Sequence, residues 1–190
     1  TTTSTSTTST STSTSTSTSS TTTVAPEFSP IDIAGCVLWL DASQESYNDN
    51  DAVSTWTDRS GNGYDATQAT AGRRPIFKTS IINGLPVVRF VRANYNWLEN
   101  TSTGLITEDF TICTVGKFNS LTGVQRVVDI NDAADYLGRA FTFDTTLQLR
   151  INGGYQAEYS YSDTTNFHYW TCKHIPTSRT IYEDGVSQNT

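Results

Sequence analysis

The chain has 190 residues, a formal net charge of −7 and only 12 Lys and Arg. It carries no Lys/Arg cluster, so it lacks the basic footprint that phosphate contacts require. Nucleic acid is therefore excluded as an expected partner, and anionic membrane surfaces are disfavoured by the same repulsion. No apolar run approaches the ~20 residues of a membrane span, so membrane insertion is not expected.

Residues 1 to 23 are threonine and serine only. Such a segment has no apolar face to bury and cannot fold around a core. Dense hydroxyl tracts mark O-glycosylated, mucin-like stalks; the alternative is a polar linker without sugar. The candidate O-glycosylation positions are Thr1, Thr2, Thr3, Thr5, Thr7, Thr8, Thr10, Thr12, Thr14, Thr16, Thr18, Thr21, Thr22 and Thr23, with Ser4, Ser6, Ser9, Ser11, Ser13, Ser15, Ser17, Ser19 and Ser20. The expected division is an extended stalk over residues 1–25 and a folded domain over 26–190. The expected location is extracellular, on a cell surface or on a virion surface. Methionine is absent even from position 1, which reads as a processed product or a fragment.

Pro26 and Pro30 bracket an extended connector, because prolines that close keep a chain out of helix. Strands are expected almost everywhere beyond it. The first is Val37 to Asp41, where Cys36-Val37-Leu38-Trp39-Leu40 is the longest dense apolar run and suits a buried strand. Val53 to Thr57 follows and ends at the turn Asp58 to Gly63. Next come Tyr64 to Gln68, Pro75 to Lys78, the tight turn Asn83-Gly84, and Pro86 to Val91. Trp97 to Glu99 is short. Phe110 to Phe118 is the best candidate for a central strand. Gln125 to Ile130 leads into a polar loop at Asn131 to Asp135. Ala140 to Phe143 and Leu147 to Ile151 alternate apolar and polar residues, each with one wet face. Asn152-Gly153-Gly154 is a hairpin turn, and Tyr155, Ala157, Tyr159 and Tyr161 fall on one face of the next strand. Phe167 to His174, Arg179 to Glu183 and the turn Asp184-Gly185 complete the series. No window has a helical period with caps, so the pattern is an all-β sandwich or barrel.

The three cysteines, Cys36, Cys113 and Cys172, lie in apolar strand-like runs. They read as buried thiols, with a Cys113–Cys172 disulfide as the alternative. Calcium is the candidate cofactor, because oxygen-rich loops occur at Asn48 to Asp51, at Asp58, Asn62 and Asp65, and at Asn131, Asp132 and Asp135. The competing reading is that these Asx residues make turns. Sugar binding would use exposed aromatics with amides beside them; the candidates are Tyr95, Asn96 and Trp97, and the pair Tyr159 and Tyr161. Asn100-Thr101-Ser102 is an N-glycosylation sequon by pattern. The two histidines, His168 and His174, show no nucleophile motif beside them.

Three stretches carry a resemblance: Val37-Leu38-Trp39-Leu40-Asp41-Ala42-Ser43; Trp56-Thr57-Asp58-Arg59-Ser60-Gly61-Asn62-Gly63-Tyr64-Asp65-Ala66; and Asn83-Gly84-Leu85-Pro86-Val87-Val88-Arg89-Phe90. Their order resembles the concanavalin A-like lectin/glucanase superfamily in its laminin-G-like form, found in bacterial surface proteins and viral or phage structural proteins. Phe110 to Lys117 and Tyr169-Trp170-Thr171 with Arg179 to Gly185 resemble its later strands. The resemblance implies a two-sheet antiparallel jelly-roll β-sandwich over roughly Ile31 to Gly185, with the family's C-terminal closing strands missing.

Glucanases of that superfamily use an E-x-D-x-x-E strand, and none occurs here; Glu27, Glu45, Glu99, Glu108, Glu158 and Glu183 are scattered. An enzyme is not expected, and no catalytic residue is assigned. The expectation is a structural glycoprotein, a fibre or appendage subunit whose partners are further copies of itself or other surface or virion proteins. The alternative is a carbohydrate-binding adhesion module whose partner is a glycan.

Overall fold

Paired antiparallel strands dominate the computed structural model, which describes residues 28–102, 109–122, 125–130, 139–143, 147–151, 154–175 and 177–188. The Thr/Ser tract, the whole Asn131 to Asp135 loop and Asn152-Gly153 lie outside the described residues. Four strands occupy the first stretch: β1 (Thr55–Trp56), β2 (Ala66–Thr67), β3 (Ile76–Ile82) and β4 (Leu85–Arg89). β1 pairs with β2 across the Asp58 to Gly63 loop, and β3 pairs with β4. The β3–β4 turn has Asn83 at φ 50° and Gly84 at φ 81°. Two positive φ values in a two-residue loop match the right-handed strand twist, and Asn-Gly tolerates both.

The later stretch holds eight strands: β5 (Phe110–Gly116), β6 (Gln125–Ile130), β7 (Arg139–Phe143), β8 (Leu147–Ile151), β9 (Gly154–Tyr159), β10 (His168–Ile175), β11 (Ser178–Glu183) and β12 (Val186–Ser187). They form two four-stranded sheets, ordered β12-β11-β10-β5 and β6-β7-β8-β9. β11 packs against β8 and β9. The shared core consists of Phe118, Ala157, Tyr161, Trp170, Cys172 and Ile181. Alternation delivers these residues: Trp170, Cys172 and His174 are buried on β10, while Tyr169 and Lys173 are exposed and Thr171 is half-buried. A second centre of burial, around Val53, Pro75 and Phe77, sits under β3, with the Tyr47 ring tilted against the Phe77 ring at 5.8 Å.

Several expectations are corrected. Val37 to Asp41 is not a buried strand. Only Leu40 bridges Asp58, and Val37 and Leu38 are exposed. The backbone there is satisfied by a loop instead. Trp39 N–H donates to Asp58 Oδ1 at 3.0 Å, and Val37 O accepts from Ser60 Oγ and Asn62 Nδ2, both at 2.9 Å. Trp97 to Glu99 is likewise reduced to a single bridge, Thr67 with Glu99. β5 ends the order of its sheet rather than lying in its middle among the described residues. Four single-turn 3-10 helices, Pro30–Asp32, Ala42–Gln44, Ala71–Arg73 and Arg92–Asn94, interrupt the expected extended chain. Each is too short to leave a period in the sequence.

The cysteines are all free thiols, and Cys113 is exposed rather than buried. Register explains why no Cys113–Cys172 bridge forms. Cys113 lies opposite Thr171 and Cys172 opposite Ile112. Directly opposed residues share a face and successive residues alternate, so the two thiols point to opposite sides of the sheet. Among the described residues, no helix is long and apolar enough to cross a membrane.

Candidate functional site

β4 ends at Arg89, and the chain then makes the 3-10 turn Arg92–Asn94. Tyr95 caps that turn at φ 51°, ψ 44°, the left-handed region, with its N–H donating to Arg92 O at 2.9 Å. A bulky aromatic is an outlier there, and such conformations persist only where the surroundings impose them. The imposing group is the next side chain. Asn96 Oδ1 accepts Val91 N–H at 2.8 Å, and Asn96 Nδ2 donates to Arg74 O at 2.9 Å. Trp97 N–H donates to Arg73 O at 3.2 Å and fixes the exit.

The result is an exposed ring on a pinned turn: Tyr95 is 77% exposed. Beside it lies a cleft of about 450 Å³ lined by Arg92, Ala93, Tyr95, Ser120, Thr122 and Gln125. Its far wall is organised by hydrogen bonds of its own. Ser120 Oγ and Thr122 Oγ1 are 2.9 Å apart, and Gln125 Nε2 donates to Ser120 O at 2.6 Å. Arg92 Nη1 donates to Thr122 O at 3.1 Å and joins the two walls. The guanidinium retains further N–H donors, because Arg carries five. An aromatic face, a cation, two hydroxyls and an amide thus border one open volume. That set can stack on an apolar ring face and bond the hydroxyls around it.

The structure sorts the sequence candidates. Tyr95 borders the cleft. Asn96 holds the turn, with Oδ1 accepting Val91 N–H and Nδ2 donating to Arg74 O, and it is not among the residues lining the cleft. Trp97 is 36% exposed and lies outside the cleft lining. The Tyr159/Tyr161 pair is corrected outright as a sugar platform. Tyr161 is 6% exposed and belongs to the core, and Tyr159 packs against that core with its Oη accepting Trp170 Nε1–H at 3.1 Å. Arg92, Ser120, Thr122 and Gln125 were not legible as site residues, since the two walls are some thirty residues apart in sequence. The positive φ at a tyrosine is likewise silent in the sequence.

Asp58 and Asp65 meet and turn toward protein donors, while the Asn62 amide donates to Val37 O at 2.9 Å and Ser60 Oγ at 3.0 Å. The Asp58 carboxylate accepts from Trp39 N at 3.0 Å, Ser60 N at 2.9 Å, Ser60 Oγ at 2.8 Å and Tyr64 N at 3.0 Å. Asp65 Oδ1 accepts Asp58 N–H at 2.8 Å. Burial by itself would raise the Asp58 pKa; the amides of Trp39, Ser60 and Tyr64 outweigh it and hold the carboxyl below its ordinary value. The Asn48 to Asp51 loop is used similarly, with Lys78 Nζ at 2.9 Å from both Asp49 Oδ2 and Asn50 Oδ1. Among the described residues, no group of three or more His, Cys, Asp or Glu side chains is placed to hold a metal ion. The carboxylates of Asp49, Asp58 and Asp65 are thus engaged in fixing loops, and the third calcium candidate, Asn131 with Asp132 and Asp135, lies outside the described residues. Asn100 Nδ2, the sequon nitrogen, donates to Asp65 O at 2.9 Å.

Comparison with protein-family models, curated proteins and solved structures finds no match to this chain.

Proposed function

We propose that this chain is a surface-displayed adhesion module, a concanavalin A-like jelly-roll sandwich carried on an O-glycosylated stalk, which binds carbohydrate in the Tyr95 cleft. The observation that carries the reading is the exposed Tyr95 ring, held in the left-handed region beside Arg92, Ser120, Thr122 and Gln125. Strain kept at an exposed aromatic, with hydrogen-bonding groups converging next to it, supports a binding role over a packing role. The two facing four-stranded sheets are compatible with a jelly roll, and the hydroxyl-rich tract supports an extracellular or virion-surface location. No catalytic constellation enters the reading. A glycan array probed with the full chain tests it. Binding is expected for some glycan and is expected to weaken at least tenfold, about 1.4 kcal/mol, in Tyr95→Ala. An array without any binder removes the proposal.

A second reading has its own support. Phe28, Ile31, Ile33, Val37 and Leu38 are all exposed within one short stretch. Apolar residues gathered in this way favour contact with further copies or with another surface protein, as in a fibre or appendage subunit. Sedimentation of the full chain distinguishes the two: a monomer at micromolar concentration disfavours the fibre subunit.

A further inference from the structure

One imidazole in the later stretch is placed between three carboxylates from two segments. His168 opens β10 and its side chain is 15% exposed. Its Nδ1 lies 2.8 Å from Asp184 Oδ2 and 3.1 Å from Glu183 Oε1, while its Nε2 lies 3.2 Å from Asp163 Oδ2. Carboxylates only accept hydrogen bonds, and a neutral imidazole has one N–H. Both ring nitrogens must therefore donate, which makes His168 the imidazolium in this arrangement. We propose that His168 is a proton-gated clamp: protonated, it ties the Asp163 turn to the β11–β12 hairpin, and on losing a proton it releases one of them.

Each end of the clamp is built into backbone. Asp184 Oδ1 accepts Tyr169 N–H at 3.1 Å, and Asp184 N–H donates to Tyr169 O at 2.9 Å. The hairpin turn is thereby fixed to the start of β10. Asp163 accepts from Thr165 N at 2.6 Å, Thr165 Oγ1 at 2.7 Å, Asn166 N at 3.1 Å and Asn166 Nδ2 at 2.8 Å. Those bonds hold the Asp163 carboxyl far below its ordinary pKa, so it stays ionised through the range where the imidazole titrates. Asp184 is lowered too, first by the Tyr169 amide and then by His168.

The remaining neighbours do not compete. Tyr161 meets the His168 ring edge-on at 5.8 Å, and Trp170 lies tilted at 5.8 Å. On β5 the residue opposite His168 is Gly116, without a side chain, and the adjacent Lys117 Nζ is directed to Thr165 O at 3.4 Å. Burial raises the phenols of Tyr161 and of Tyr159, which bonds Glu183, well above the usual tyrosine value, so neither titrates with the imidazole. Burial by itself would lower the His168 pKa. The bonds to Asp184 and Asp163 and the charges of Glu183 and Asp184 outweigh it and raise the value above that of free histidine. A raised folded-state pKa means that the clamp is complete below the unfolded value of ~6.5 and is lost as pH rises through the folded value.

The test is a titration of the full chain from pH 5 to pH 9, following the His168 ring nitrogens by NMR and the Asp184 and Thr165 amides by hydrogen exchange. His168 is expected to titrate above the free-histidine value. Protection of one of the two amides should fall through the same pH, about tenfold for each unit of pKa displacement. Asp163→Asn and Asp184→Asn should each lower the His168 pKa, and His168→Gln should abolish the step in protection. A His168 that titrates at or below the free value overturns the proposal, as does a pKa unmoved by Asp163→Asn. Should the His168 variant not fold, the wild-type titration and the two Asn variants still decide.

Discussion

Between Phe28 and Ser102 the chain is fastened by polar side chains reaching backbone: Asp58, Asp65, Gln68, Asn96 and Asn100. From Asp109 to Gln188 it is fastened by two four-stranded sheets closed over Phe118, Tyr161, Trp170, Cys172 and Ile181. A side chain that satisfies backbone amides fixes a loop without burying apolar area, and each bond is worth about 1 kcal/mol net. A buried aromatic removes far more surface from water and is worth several times that. The consequence is visible on the surface. Among the residues whose burial is described, Phe28, Ile31, Ile33, Val37, Leu38, Leu85, Phe90, Tyr95 and Trp97 remain exposed in the first stretch, against Val115, Tyr169 and Val186 in the second. The polar-stapled stretch is also the one that presents Tyr95, since a pinned loop can hold a ring in water that a core would have buried.

The largest effect should come from Trp170→Ala. It removes a side chain 1% exposed that contacts Phe118 and Tyr161 and bonds Tyr159, and should cost about 3–5 kcal/mol in urea unfolding. A cost below about 1 kcal/mol would show that the aromatic cluster is not the core. Asp58→Ala is the matched break in the other stretch. It leaves the amides of Trp39, Ser60 and Tyr64 without their acceptor and should cost about 1–3 kcal/mol. Because the Asp58 pKa is lowered on folding, its contribution is present above the unfolded carboxylate value of ~3.9 and is lost as pH falls through the folded value. The wild type should therefore lose stability at acid pH more steeply than Asp58→Asn does.

Gly185→Ala should be milder, about 1 kcal/mol, from a β-carbon forced into φ 83° and placed 2.6 Å from the Tyr169 hydroxyl. The side chain of Tyr169 is exposed and can move, so the backbone supplies most of that cost. Tyr95→Gly should have the smallest effect and the opposite sign. Relieving the left-handed strain should stabilise the fold by up to about 1 kcal/mol while abolishing glycan binding. A Tyr95→Gly chain that is less stable than wild type would mean that the ring packs rather than waits for a ligand.

Sequence reasoning succeeded where the physics is local. Asn83-Gly84 and Asp184-Gly185 were legible as turns because positive φ selects those residues, and most strands followed from alternation. It failed where a neighbour distant in sequence decides. The apolar run Cys36 to Leu40 has the composition of a buried strand, yet its backbone is claimed by Asp58, Ser60 and Asn62. Tyr159 and Tyr161 alternate as a surface pair would, but composition does not say which face of a strand meets the core. Asn96 looked like a ligand residue beside two aromatics, and its amide is spent on holding the turn.

By itself, then, the sequence determined the strand-rich character of the chain, the positions of its tight turns and the chemical distinctness of residues 1 to 23, because each rests on composition or on spacings of a few residues. Only the tertiary structure decided that Cys113 and Cys172 face apart, that Arg92 comes to Thr122, and that one imidazole gathers Asp163, Glu183 and Asp184. Those facts depend on strand register and on which segments meet, and long-range pairing is fixed by the burial of the whole sheet rather than by any local preference.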